Sequence, residues 1–98
     1  LWEFSGAITY IGQVIKYLYT PSASGNYIFT TNDMENYFAI SFSVIDPLNY
    51  EIRNSNYVVN NETLKVALEE GVEYTIQIGN NAYDRFGKYR IAIEKQSD

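Results

Sequence analysis

Apolar residues fall on every second position along most of this 98-residue chain, which is the period of a β-strand with one buried face. The clearest runs lie in the last third. Val72, Tyr74, Ile76 and Ile78 alternate with Glu73, Thr75 and Gln77, and Tyr89, Ile91 and Ile93 alternate with Arg90 and Ala92. A glycine opens each run, Gly71 and Gly87, and Gly25-Asn26-Tyr27-Ile28-Phe29-Thr30 is a shorter relative upstream. The cassette of glycine, tyrosine and alternate apolar residues therefore occurs three times, each time leaving a turn.

The other segments keep the same rhythm. Residues 1–6, where Trp2 and Phe4 alternate with Glu3 and Ser5, suit an edge strand or the tail of a linker, and residues 7–12 read as a first strand. Residues 13–20 predict a strand with Ile15, Tyr17 and Tyr19 on one face. Residues 21–25 form a turn by their chemistry, because Pro21 presets φ and lacks a donor while Gly25 tolerates positive φ. Residues 26–31 return as a strand, 32–36 make a polar connection, and 37–45 predict the longest strand, with Ile40, Phe42 and Val44 inward and Ser41 and Ser43 outward.

Asp46-Pro47-Leu48-Asn49 stops that strand. Residues 50–53 predict a brief strand, and Asn54-Ser55-Asn56 and Asn60-Asn61 read as loop material flanking Tyr57, Val58 and Val59. Leu64, Val66 and Leu68 define one more strand. The total is about eight short strands at intervals of about 8–12 residues, and no segment has helical periodicity. This predicts an all-β, antiparallel sandwich in which two sheets pack face to face. Its expected core is Tyr17, Tyr19, Tyr27, Phe29, Ile40, Phe42, Val44, Leu64, Val66, Leu68, Val72, Tyr74, Ile76, Ile78, Tyr89, Ile91 and Ile93.

Composition narrows the function classes. With 46% hydrophobic and 16% aromatic residues a packed core is expected, and the length fits one domain spanning 1–98. The chain has no cysteine, hence no disulfide or thiolate chemistry, and no histidine, hence neither the usual general base nor the commonest zinc ligand. A formal charge of −5 works against nucleic acid, whose binding draws on Lys and Arg. There is no apolar run long enough for a membrane span and no export-signal pattern, so membrane insertion is not expected. Beginning at Leu1 rather than Met, the sequence reads as part of a longer protein whose other domains are its first expected partners.

Candidate chemistry is sparse. A serine or threonine nucleophile has no histidine to activate it and no Ser-x-x-Lys motif is present, so no enzyme and no catalytic residue is expected. Glu69 and Glu70 are neighbours whose side chains diverge on an extended backbone, and they read as a solvated turn entry. Residues 32–35 and 80–84 offer the oxygen ligands that calcium takes, but without EF-hand spacing, and such clusters are also ordinary turn chemistry. No cofactor or metal site is assigned, with calcium kept as an option. Asn61-Glu62-Thr63 fits a glycosylation sequon and receives no role.

Aromatic residues carry the strongest binding signal. Ten tyrosines exceed those needed inward, leaving Tyr10, Tyr37, Tyr50, Tyr57 and Tyr83 with Trp2 and Phe86 in or near loops. Such side chains offer apolar area with a polar tip, suited to stacking on a sugar ring or docking a protein, and equally suited to capping the ends of a sandwich. In Asp84-Arg85-Phe86-Gly87, Arg85 beside Phe86 adds an exposed contact or simply closes the connection. The candidate ligand-binding residues are Tyr50, Tyr57, Tyr83, Arg85 and Phe86.

Taken in order, Lys16-Tyr17-Leu18-Tyr19-Thr20, residues 24–30, Phe42-Ser43-Val44-Ile45-Asp46-Pro47, residues 68–76 and Gly87-Lys88-Tyr89-Arg90-Ile91 resemble the bacterial pre-peptidase C-terminal domain, a family that includes collagen-binding modules. The resemblance spans about residues 12–94. Lys16 stands where that family usually has an acidic residue, and Leu48-Asn49 where glycine commonly follows the turn.

What the resemblance implies is a jelly-roll-like β-sandwich, extracellular or at the cell surface. Such domains are carried as non-catalytic accessory modules beside peptidases, glycosidases or adhesins, with a polysaccharide or matrix protein as partner. The calcium site of its collagen-binding relatives is not carried over, because residues 1–12 hold only Glu3 as an acid. A structural spacer or an immunoglobulin-like domain with no ligand of its own is the alternative.

The alternation makes one quantitative demand. Truncating Ile76→Ala is expected to lower stability by about 2–5 kcal/mol in chemical denaturation. A loss below about 0.5 kcal/mol would place Ile76 at the surface.

Overall fold

A computed structural model of the chain describes residues 2–35, 37–80 and 85–97. Eight antiparallel strands run in the order β1 (Trp2–Ile8), β2 (Val14–Tyr19), β3 (Gly25–Asn32), β4 (Ile40–Ile45), β5 (Glu51–Val58), β6 (Thr63–Leu68), β7 (Tyr74–Asn80) and β8 (Gly87–Lys95). They form two sheets of four, β1-β8-β3-β6 and β2-β7-β4-β5. No helix is long and apolar enough to cross a membrane among the described residues.

The path is that of one long hairpin rolled up. The chain turns back between β4 and β5, so that β4 pairs with β5, β3 with β6, β2 with β7 and β1 with β8, and rolling adds the pairs β3·β8 and β4·β7. Every connection except β4 to β5 crosses from one sheet to the other, which makes a jelly roll. An immunoglobulin order would put the first two strands side by side in one sheet, whereas here β1 and β2 lie in different sheets.

Asp46 builds the tip of that hairpin. One of its carboxylate oxygens accepts from the backbone N–H of Leu48 at 3.0 Å and of Tyr50 at 2.9 Å, and Asn49 takes φ of 71°, a conformation that asparagine tolerates better than most residues.

Inner faces interdigitate as the alternation predicts. Phe29, Ile40, Val44, Ile76, Ile78 and Ile91 are fully buried, and Phe29 of one sheet meets Phe42 of the other edge-on at 5.3 Å. Three buried tyrosines come from the three cassettes, and each hydroxyl has a partner. Tyr27 donates to the Ala23 carbonyl at 2.7 Å, Tyr74 accepts from the Glu69 N–H at 2.9 Å, and Tyr89 shares a 2.6 Å hydrogen bond with Tyr17. In the first two the ring reaches back over the turn that precedes its own strand and pins it. The third crosses the sandwich from β8 to β2.

The side of the sandwich where β1 and β2 form the two sheet edges is closed by an aromatic seam. Phe4 lies 4.1 Å from Tyr17 between ring centroids, and Trp2 stacks on Tyr19 at 5.2 Å. Gly6 makes room beneath it, since a Cβ there would come within 2.5 Å of the Tyr89 hydroxyl and 2.8 Å of that of Tyr17. The exposed sheet edges are blunted against further pairing: Glu3, Lys16 and Lys65 stand exposed on β1, β2 and β6, and β5 carries two register breaks.

Four local expectations need correction. Residues 7–12 do not make a strand of their own; β1 ends at Ile8, where the Gln13 side chain captures the Thr9 N–H at 2.6 Å and Gly12 turns at φ of 80°. The strand predicted from 37 starts at Ile40, because Phe38 N–H bonds the Glu35 carbonyl in a turn. Residues 54–56 are strand rather than loop, inside β5: an edge strand needs one partner only, so its solvated side accepts asparagine and serine. Ser43 does face outward but is only 7% exposed, being overhung by Glu51, to which its hydroxyl donates at 2.9 Å.

Burial pushes the Tyr89 phenol well above its usual value of 10.0, helped by its bond to Tyr17. A phenol with a raised folded-state pKa contributes stability that is fully present below the unfolded value and is lost as the pH rises beyond it. Urea midpoints are therefore expected to hold up to about pH 10 and fall above it. Tyr89→Phe should flatten that fall; an equally steep fall in the variant would contradict it.

Candidate functional site

The antiparallel order places four connections at one end of the sandwich. Among the described residues they lie side by side in the order 9–13, 85–86, 33–35 with 37–39, and 59–62, while the start of β1 and the end of β8 lie together at the opposite end, where Trp2 is in register with Ile93.

Each connection is fastened by a side chain that satisfies backbone groups. In 9–13 the Gln13 amide oxygen holds Thr9, leaving Tyr10 and Ile11 exposed at the tip. In 33–39 the Met34 N–H donates to Asn60 Oδ1 at 3.0 Å, and Met34 and Phe38 are buried, so the backbone between them lifts Tyr37 outward to 60% exposure. Phe38 packs against Gly87, at 3.3 Å from where a Cβ would stand. In 59–62 the buried Thr31 hydroxyl donates to the Val59 carbonyl at 2.6 Å and accepts from the Glu62 N–H at 3.0 Å, tying the loop to β3. Asp33 and Asn61 take positive φ there, 58° and 62°.

Arg85, just before β8, meets Tyr37, just before β4. Asn80 Nδ2 donates to the Arg85 carbonyl at 3.1 Å, and the Arg85 guanidinium lies over the Tyr37 ring at 5.9 Å, a cation–π contact. Phe86 follows, 37% exposed. Arg90 and Asp33 form a 3.1 Å ion pair between exposed side chains at the same end.

The expected site residues do not form one cluster. Arg85 and Phe86 lie at the loop end beside Tyr37, and Tyr57 stands near the same end on the outer side of β5. Tyr50 is exposed at the opposite end, in the turn that Asp46 builds. Tyr83 lies outside the described residues. Tyr37 is the member that the candidate set lacks. It precedes the apolar run Phe38-Ala39-Ile40 and so resembles the start of a strand; only the adjacency of two loops distant in sequence reveals its role.

The metal and acid candidates have ordinary surroundings. Asp33 is paired with Arg90, and no group of three acidic or other metal-ligating side chains comes together among the described residues. Most of the segment 80–84 lies outside them. Glu69 and Glu70 sit in the turn before β7, their backbone N–H groups bonded to Tyr74 and Ser24 and their side chains exposed.

No protein-family description and no curated protein matches the chain.

Proposed function

We propose that this jelly roll is a non-catalytic accessory module of a secreted or cell-surface bacterial protein, and that its loop end binds an extracellular polymer, a glycan or a matrix protein. The observation that carries the reading is the convergence of Tyr37, Arg85 and Phe86 from two loops, with exposed Tyr10 on the loop beyond. Loops fixed to a rigid scaffold are where binding residues concentrate, and tyrosine and arginine are among the residues enriched at interface hot spots.

Two further features agree with it. The wrapped strand order is the one that the resemblance to the pre-peptidase C-terminal family implies. The start of β1 and the end of β8 lie together at the end opposite the loops, so neither covers the loop end.

Binding to immobilised polysaccharides and to collagen, measured on Tyr37→Ala, Arg85→Ala and Phe86→Ala, tests the reading. Each substitution is expected to weaken retention of the bound polymer about tenfold or more. Tyr50→Ala, at the other end, should leave it unchanged. Retention lost only with Tyr50→Ala, or no retention of any polymer, would contradict the proposal.

A further inference from the structure

We infer that the outer face of the β2-β7-β4-β5 sheet is a groove for an uncharged glycan chain; this deepens the binding-module reading above and rests on it. Strand register sets the outward residues in rows across the sheet. Val14, Gly79 and Ser41 form one row, Lys16, Gln77, Ser43 and Asn54 the next, and Leu18, Thr75, Ile45 and Glu51 a third.

The two central strands contribute Gly79, Thr75, Ser41 and Ser43 together with the longer Gln77 and Ile45, and the edge strands carry exposed, larger side chains. Val14, Lys16 and Leu18 stand exposed on β2, and Tyr57 is 67% exposed on β5. Between them Gly79 and Ser43 are buried although both belong to the outer face, Ser43 because the Glu51 side chain overhangs it. Gly79 keeps the floor low at its upper end, since a Cβ there would stand 2.5 Å from the Ser41 hydroxyl. At the lower end the groove opens into a cleft of about 410 Å³, where Asp46, Asn49 and Glu73 join Lys16, Thr75 and Gln77.

The chemistry of the floor identifies the class of ligand. Hydroxyls of Ser41 and Thr75 and amides of Asn54 and Gln77 both donate and accept, as the hydroxyls of a sugar do, and Ile45 adds an apolar surface among them. Glu51 is held in place by Ser43 Oγ at 2.9 Å and Asn54 Nδ2 at 2.7 Å. Both bonds fall on one carboxylate oxygen, which leaves the other to accept from a ligand. Tyr57 on the rim supplies an aromatic face for the apolar side of a sugar ring. Asp46, Glu51 and Glu73 outnumber Lys16, so an anionic polymer meets like charge. A neutral chain does not.

Affinity electrophoresis of the chain in soluble β-glucan, xylan and mannan, with polygalacturonate as the charged counterpart, tests the groove. At least one neutral polysaccharide is expected to retard it and polygalacturonate is not. Gln77→Ala, Asn54→Ala and the groove-filling Gln77→Trp should each weaken that retardation about tenfold or more without moving the thermal unfolding midpoint. Tyr37→Ala should weaken it too, as the loop-end reading expects, so the groove variants decide. Unchanged retardation in all three groove variants, or a preference for polygalacturonate, overturns the inference. If retardation is lost with Tyr37→Ala and Phe86→Ala instead, or if only collagen is bound, the groove falls and the binding module stands. Silence toward every polymer removes both.

Discussion

A tyrosine can enter a core only if its hydroxyl finds a partner there, because an unpaired buried hydroxyl forfeits its bonds to water. That constraint organises this domain. Tyr27 and Tyr74 meet it by reaching back to the turns before their strands, and each fixes where the chain enters its sheet. Tyr17 and Tyr89 meet it with one another, and their bond joins the edge strand of one sheet to an inner strand of its opposite. The pairing requires Gly6 on β1 and leads into the stacked rings of Phe4, Trp2 and Tyr19, so the open side of the sandwich is closed by aromatic contacts rather than by a loop.

Much of the fold is legible from alternation alone. β3, β4, β6, β7 and β8 bury one face against the opposite sheet, so their apolar residues must fall on every second position, and they do. Legibility fails where burial is not periodic. Met34 and Phe38 enter the core from a connection, and β5 is an edge strand whose outward side needs no apolar residue. The rolled hairpin is not visible locally either. Glycines and prolines mark where the chain turns without saying which sheet receives the next strand.

The candidate site depends on that missing information. Arg85 and Phe86 stand out as an exposed pair beside a turn glycine, but their neighbour Tyr37 is distant in sequence and becomes adjacent only because β3 lies next to β8, and β4 next to β7. The same wrapping sends Tyr50 to the opposite end. It also turns Gly79, Ser41, Ser43 and Gln77, which in sequence are merely the polar half of two alternating strands, into neighbours on one outer face. Loop end and groove share a scaffold whose mating of sheets is set by the buried tyrosines.

The most direct measure of that dependence is a double-mutant cycle on Tyr17 and Tyr89, with Tyr17→Phe, Tyr89→Phe and the double variant followed by chemical denaturation. Removing the Tyr17 hydroxyl strands that of buried Tyr89, while Tyr17 keeps the Ser5 carbonyl at 3.4 Å; because both single variants lose the same bond, their losses should overlap, with a coupling of about 1 kcal/mol between the two positions. Losses that add within about 0.3–0.5 kcal/mol would mean that the two sheets are held together without this bond.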